Sequence, residues 1–199
     1  MTKEPSSQLN ALCVFCGSSL GAEPAYRRAA EQLGRHLAEA GVTLVFGGGH
    51  VGLMGVVATA VLEGGGRVIG IIPDHLVKVE SPFRDISELI VVDSMHTRKR
   101  KMFDLADAFC VLPGGLGTLD ETFEILTWKQ LHLHNKPVIL ANVDGYWDAW
   151  MNLFRVSVDK GFVQPTAEKL FSVVDTVDDV LPTARREIGV GWSAETKLF

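Results

Sequence analysis

The chain is poor in the features that mark a secreted, membrane-bound or metal-built protein. It has three cysteines in 199 residues, Cys13, Cys16 and Cys110. An odd count without a framework excludes a disulfide scaffold and suits a reducing compartment. Cys13 and Cys16 have CxxC spacing, but "ALCVFC" reads as a buried strand. Positions i and i+3 of a strand point to opposite faces, so these thiols should pack in the core rather than pair. A structural zinc would also need about four ligands. The histidines do not supply them. His132 and His134 sit near a helix end, His50, His75 and His96 lie in turns, and His36 reads as a surface helix residue. No metal site is expected. No apolar run reaches the roughly 18 residues of a membrane span. The opening "MTKEPSSQLN" has no apolar signal core. A cytoplasmic protein without a membrane partner is expected. The patterns GxxxxGK[ST] and GxSxG are both missing, which excludes a Walker-type triphosphate site and a serine-hydrolase elbow. Positive charge is also short: 24 acids face 19 bases, for a net charge of −5. A nucleic-acid binder would carry a basic face, so no nucleic-acid partner is expected.

What is present is a regular alternation. Short runs rich in Val and Ile, "ALCVFCG", "VTLVFGGG", "RVIGIIP", "ELIVVD", "AFCVLPGG" and "KPVILANV", are separated by longer amphipathic stretches. "LFSVVDT" reads as a short seventh strand. Helices are expected from Tyr26 to Ala40, through "MHTRKRKMFDLA", from Thr118 to Leu133, and through "GYWDAWMNLFRVSVDKGF". Strands each followed by a helix mean βαβ units and a parallel sheet. The expected fold is α/β: one doubly wound Rossmann-like sheet with helices on both faces. Residues 11–187 form the expected domain, between a loose N-terminal tail (1–10) and a C-terminal tail (188–199). Trp128, Trp147 and Trp150 read as packing or interface residues.

Such sheets bind ligands at the carboxyl ends of their strands. That rule gathers Gly17-Ser18-Ser19, Gly47-Gly48-Gly49, Pro73-Asp74-His75, Met95 to Lys99, and Pro113-Gly114-Gly115 on one edge. "GGGHVG" (47–52) matches GxGxxG, yet the acid that reads a dinucleotide ribose is poorly placed at Asp74. Tight packing and binding of another phosphate or ribose group both remain open there. The second glycine turn is "PGGLGTLDE" (113–121). Its glycines suit an anion, while Asp120 and Glu121 repel one. Locally, Thr118 to Glu121 reads as a capping box with Thr118 as N-cap. The basic run "RKRK" (98–101) is either a solvated helix face or an anion clamp opened by Arg98 and Lys99. With Arg98 near, Glu121 gains a partner. A carboxylate that stabilises a developing cation or activates water suits cleavage of an N-glycosidic bond.

Taken in order, "CVFCGSS", "GGGHVGLMG", "MHTRKRKM" and "PGGLGTLDE" resemble the Lonely Guy family from about Cys13 to Trp150. That resemblance implies a phosphoribohydrolase acting on adenosine 5'-monophosphate or its N6-prenylated form. It implies no cofactor, pyridoxal phosphate included. By resemblance the catalytic residues are Arg98 and Glu121. The substrate-binding residues are Glu80, Lys99, Gly114, Gly115, Leu116, Gly117, Thr118, Asp120 and Thr127, with Gly17, Ser18, Gly48, Gly49 and Met95 from the other strand ends. A homodimer is also implied, with the helix carrying Trp128 and His132 as its candidate contact. Three positions depart from the family pattern: Thr97, Leu116 and Asp120. They bear on substrate preference and rate. The competing readings are a non-catalytic Rossmann-like module for a nucleotide or molybdenum cofactor, and an amino-acid decarboxylase.

Overall fold

The computed structural model describes residues 8–77 and 82–190. Seven parallel strands form one sheet: β1 (Ala11–Phe15), β2 (Thr43–Phe46), β3 (Val68–Pro73), β4 (Glu88–Val92), β5 (Ala108–Val111), β6 (Val138–Ala141) and β7 (Ser172–Val174). Their order is β4-β3-β2-β1-β5-β6-β7. The expected seventh strand is present at the edge beside β6.

Side chains alternate across the sheet as strand geometry requires. On β1, Leu12 and Val14 enter one core while Cys13 and Phe15 enter the other. Cys16 returns to the first core, so it and Cys13 lie on opposite faces. All three thiols are free and buried. Burial pushes each of them up, which leaves them protonated and inert.

The first core is covered by α1 (Pro24–Glu39), α2 (Gly52–Glu63) and α7 (Val180–Glu187). Pro24 opens α1, where its missing N–H costs nothing. The second core is covered by α4 (Met95–Leu105), α5 (Leu116–Gln130) and α6 (Asp148–Asp159). A one-turn helix, α3 (Asp74–Val77), follows β3. Trp147 and Trp150 are buried, and Trp150 stacks on Phe154 and meets Phe171 edge-on. Packing accounts for both. Among the described residues no helix is long and apolar enough to cross a membrane.

Helix ends differ from the sequence reading by up to three residues, and at α5 the difference bears on the site. α5 begins at Leu116, with Gly115 as its N-cap and no side-chain cap. Thr118 is therefore inside the helix and buried, and the expected capping box does not form. At the other end the helix stops at Gln130, and His132 adopts a left-handed φ of 57°.

Candidate active site

The strand order reverses between β1 and β5. Each strand's successor lies on the opposite side, which opens a crevice at their carboxyl ends. The two loops there lie against each other: Gly17 N–H donates to the Pro113 carbonyl at 3.0 Å. A Cβ on Gly114 would stand 2.1 Å from Thr118 Oγ1 and 2.9 Å from Gly17 N. Only glycine permits that approach.

The two glycine turns are not equivalent. At the start of α2 the Leu53 amide donates to the carbonyls of Gly17 (3.0 Å) and Ser19 (3.3 Å). Gly49 forms a bridge with Pro82, and the Gly48 carbonyl accepts the Phe83 amide at 3.0 Å. Gly48 and Gly49 are buried, whereas Ser18 is exposed. The "GGGHVG" turn is thus packed against its own chain. At the start of α5 the situation reverses. Leu119 is the first amide to find an acceptor, the Gly115 carbonyl at 3.0 Å. Gly115, Leu116 and Gly117 are exposed, and Leu116 is 86% accessible. Among the described residues no acceptor serves the amides of Leu116, Gly117 or Thr118. Free amides at a helix start favour an anion.

α4 approaches from β4. Ser94 caps it, its Oγ accepting the Thr97 amide at 3.2 Å. Thr97 Oγ1 lies 2.9 Å from the same oxygen, so Thr97 belongs to the cap. Arg98 is buried. Its Nη2 donates to the Gly47 carbonyl at 2.9 Å, and Nη1 lies 3.7 Å from Met95 Sδ. Nε has no partner. Lys99 Nζ lies 3.1 Å from both Asp120 and Glu124, tying α4 to α5. Burial disfavours its charge, but its hydrogen bonds to Glu124 and Asp120 outweigh that and raise its pKa.

Glu121 lies one turn beyond the free amides and is half-buried. Burial pushes its carboxyl up to about 7; Arg98 pulls it down, Asp120 raises it, Lys99 lowers it and Glu124 raises it. Arg98 and Glu121 thus feel each other's charge without forming an ion pair. This is an acid–base group poised near neutrality between two cations and an anion-accepting helix start.

Arg98, Lys99, Met95, Asp120 and Glu121 are brought together at the starts of α4 and α5. Thr127 lies on the exposed side of α5, about 9 Å along the axis from Glu121 at 1.5 Å per residue. Glu80 falls outside the described residues. Two further residues support the site. Gly47 holds Arg98, and "GGGHVG" contained that signal. Tyr146 donates from its hydroxyl to the Gly114 carbonyl at 2.5 Å and fixes the loop from behind. No sequence signal pointed to Tyr146, because its partner is 32 residues away. The histidines stay apart. His134 is buried, with Nε2 at 2.9 Å from the Ile125 carbonyl, and no cluster fit for a metal occurs among the described residues.

The residues do not suit pyridoxal phosphate. A Schiff-base lysine must be a free amine, and Lys99, the lysine of this site, is held charged by two carboxylates.

Residues 54–184 match the family model described as "Possible lysine decarboxylase". The chain is 47% identical over 176 residues to the probable cytokinin riboside 5'-monophosphate phosphoribohydrolase LOGL5 of Oryza sativa subsp. japonica, covering 88% of this chain and 72% of the relative. It is 48% identical over 168 residues to the cytokinin riboside 5'-monophosphate phosphoribohydrolase LOG7 of Arabidopsis thaliana, covering 84% and 77%. Among solved structures, a molybdenum cofactor binding protein from Rippkaea orientalis superposes with a TM-score of 0.68 at 22% identity, covering 91% of this chain and 98% of that one. The last likeness establishes the Rossmann-like fold alone, whereas the extent and identity of the sequence matches show that the chain belongs to the Lonely Guy (LOG) family.

Proposed function

We propose that this chain hydrolyses the N-glycosidic bond of adenosine 5'-monophosphate or its N6-prenylated form, releasing the free base and ribose 5-phosphate. The observation that carries this reading is the Glu121 carboxyl, pushed up to about 7 beside Arg98 at the open start of α5. The names of the relatives support it. In the reaction, the bond from the anomeric carbon to the base nitrogen breaks, and its electron pair leaves with the base. A water oxygen bonds to the anomeric carbon. Glu121, ionised, faces the positive charge that develops there and takes the water's proton. The departing base takes a proton from solvent, and Glu121 returns to solvent the proton it received.

The phosphate and the acid serve opposite ends of one substrate. Amides of Leu116, Gly117 and Thr118 receive phosphate or ribose oxygens, and Arg98 offers its remaining guanidinium donors to the phosphate. Lys99 holds Asp120 and Glu124 in place, so that the surplus negative charge around Glu121 is neutralised. The domain spanning 11–187 carries all of these groups except those of a second copy.

That second copy is part of the reading. α5 presents Leu116 and Phe123 to solvent, Leu131 is exposed just past its end, and α6 presents Leu153 and Val156. Trp128 instead packs edge-on to Phe103 within its own chain, at 5.2 Å. The homodimer contact therefore rests on Phe123 and Leu131. Thr127 shares their face of α5 and would serve the substrate from across that contact.

The test is base release, measured by chromatography. Purified protein is given adenosine monophosphate, its isopentenyl form and both unphosphorylated nucleosides. Free base from the monophosphates alone supports the reading. No base from any of the four overturns it.

A further inference from the structure

Far from the cleft, at the edge where the strands begin, α5 ends beside the starts of β6 and β7. A cavity of about 300 Å³ opens there, lined by Lys129, Asn135, Lys169, Phe171, Ser172 and Glu187. Lys129 is only 6% exposed. Its ammonium has no hydrogen bond or ion pair among the described residues; burial lowers its pKa, and Glu187 partly restores it. The stem of Lys129 is buried, while its ammonium reaches the cavity, where no acceptor among the described residues meets it.

The neighbouring groups do not explain it. Glu187 already accepts from Ser172 Oγ at 2.6 Å, and Arg186 lies 3.7 Å from the same carboxyl. The end of α5 does not need Lys129 as a cap either. The carbonyls of Thr127, Trp128 and Lys129 receive the amides of Leu131, Leu133 and His132 at 2.9, 2.9 and 3.0 Å. What remains is the Lys129 ammonium on the cavity wall, a second from Lys169, and the Asn135 amide, around a space open to solvent.

We propose that this cavity is a second, non-catalytic binding site for a small oxyanion, a phosphate or a carboxylate, held by Lys129 within and Lys169 at the mouth. The anion supplies the partner that Lys129 lacks among the described residues. Ser172 and Glu187 form the wall opposite and limit the charge that fits.

Equilibrium dialysis of the full chain against labelled inorganic phosphate, and separately against labelled succinate, tests this at fixed ionic strength. The wild-type protein is expected to hold one more anion per chain than Lys129→Met. Lys169→Glu, at an exposed position, is expected to weaken that site by about tenfold or more, the scale of a lost contact to a charged group. Whichever probe shows the difference identifies phosphate or carboxylate as the ligand class. Equal binding by wild type and Lys129→Met for both probes overturns the proposal. Should Lys129→Met fail to fold, Lys169→Glu decides, and unchanged binding of both probes overturns it. The readout is bound anion, so the outcome is independent of whether the chain releases base.

Discussion

Arg98 Nη2 donates to the Gly47 carbonyl at 2.9 Å, and a Cβ on Gly47 would stand 2.0 Å from that same nitrogen. The guanidinium therefore occupies the space a side chain would take. Gly47→Ala must displace it, although residue 47 itself need touch no substrate. Base release is expected to fall about 100-fold, the scale of losing one preorganised electrostatic group. Arg98→Ala should show a loss of the same order. Steady-state kinetics of the two single variants and the double variant check this: a double variant much worse than either single one would mean that Gly47 acts by another route.

Tyr146 reaches the site from behind, through its hydroxyl on the Gly114 carbonyl. Tyr146→Phe removes that bond and keeps the ring against Tyr26 and Trp147. A net loss of about 1 kcal/mol is expected for one hydrogen bond, which loosens the loop by roughly fivefold in KM. A change confined to kcat would argue against a role in holding the phosphate loop.

The sheet, its helices and the edge that carries the candidate site were legible from the alternation of Val-rich runs with amphipathic stretches. Period and length fixed those elements. The opposite faces of Cys13 and Cys16 followed from the same geometry. Other features depended on contacts between distant segments. Gly115, rather than Thr118, holds the N-cap position of α5 and Thr118 is buried inside the helix, and a local capping pattern carries no trace of that packing. The two glycine turns looked alike in sequence. One is filled by the Gly17 and Ser19 carbonyls and the other is open, a difference set by the β1 loop. Tyr146 and Lys129 gave no pattern because a hydrogen bond to a loop, or a cavity wall, has no period.

Glu121→Gln is expected to reduce base release by 10²- to 10⁴-fold, the range for an acid–base group, while nucleotide binding persists. Stability should move the other way. The free carboxyl titrates near 4.3 in an unfolded chain, and the folded one near 7. The folded protein therefore holds an extra proton between those values. Stability from this group is complete below the lower value and is lost as pH rises through the upper one. The variant cannot ionise, so it should melt above the wild type at pH 8. The gap should close toward pH 5. Thermal melts at both pH values read this, and equal melting at pH 8 would show that Glu121 ionises without cost.

The neighbours of Glu121 should tune the acid limb of the rate profile. With the Glu121 carboxylate as the proposed base, kcat/KM is expected to rise with pH through about 7. Asp120 raises the Glu121 pKa and Lys99 lowers it. Asp120→Asn should therefore move the limb to lower pH. Lys99→Met should move it to higher pH, since it leaves Asp120 and Glu124 without the ammonium that each meets at 3.1 Å. The two shifts have opposite sign although both variants break the same ion pair. A purely structural role for that pair would lower activity at every pH and leave the midpoint in place. Profiles of kcat/KM from pH 5 to 9 separate the cases, and a shift of the same sign in both variants would exclude direct electrostatic control of Glu121.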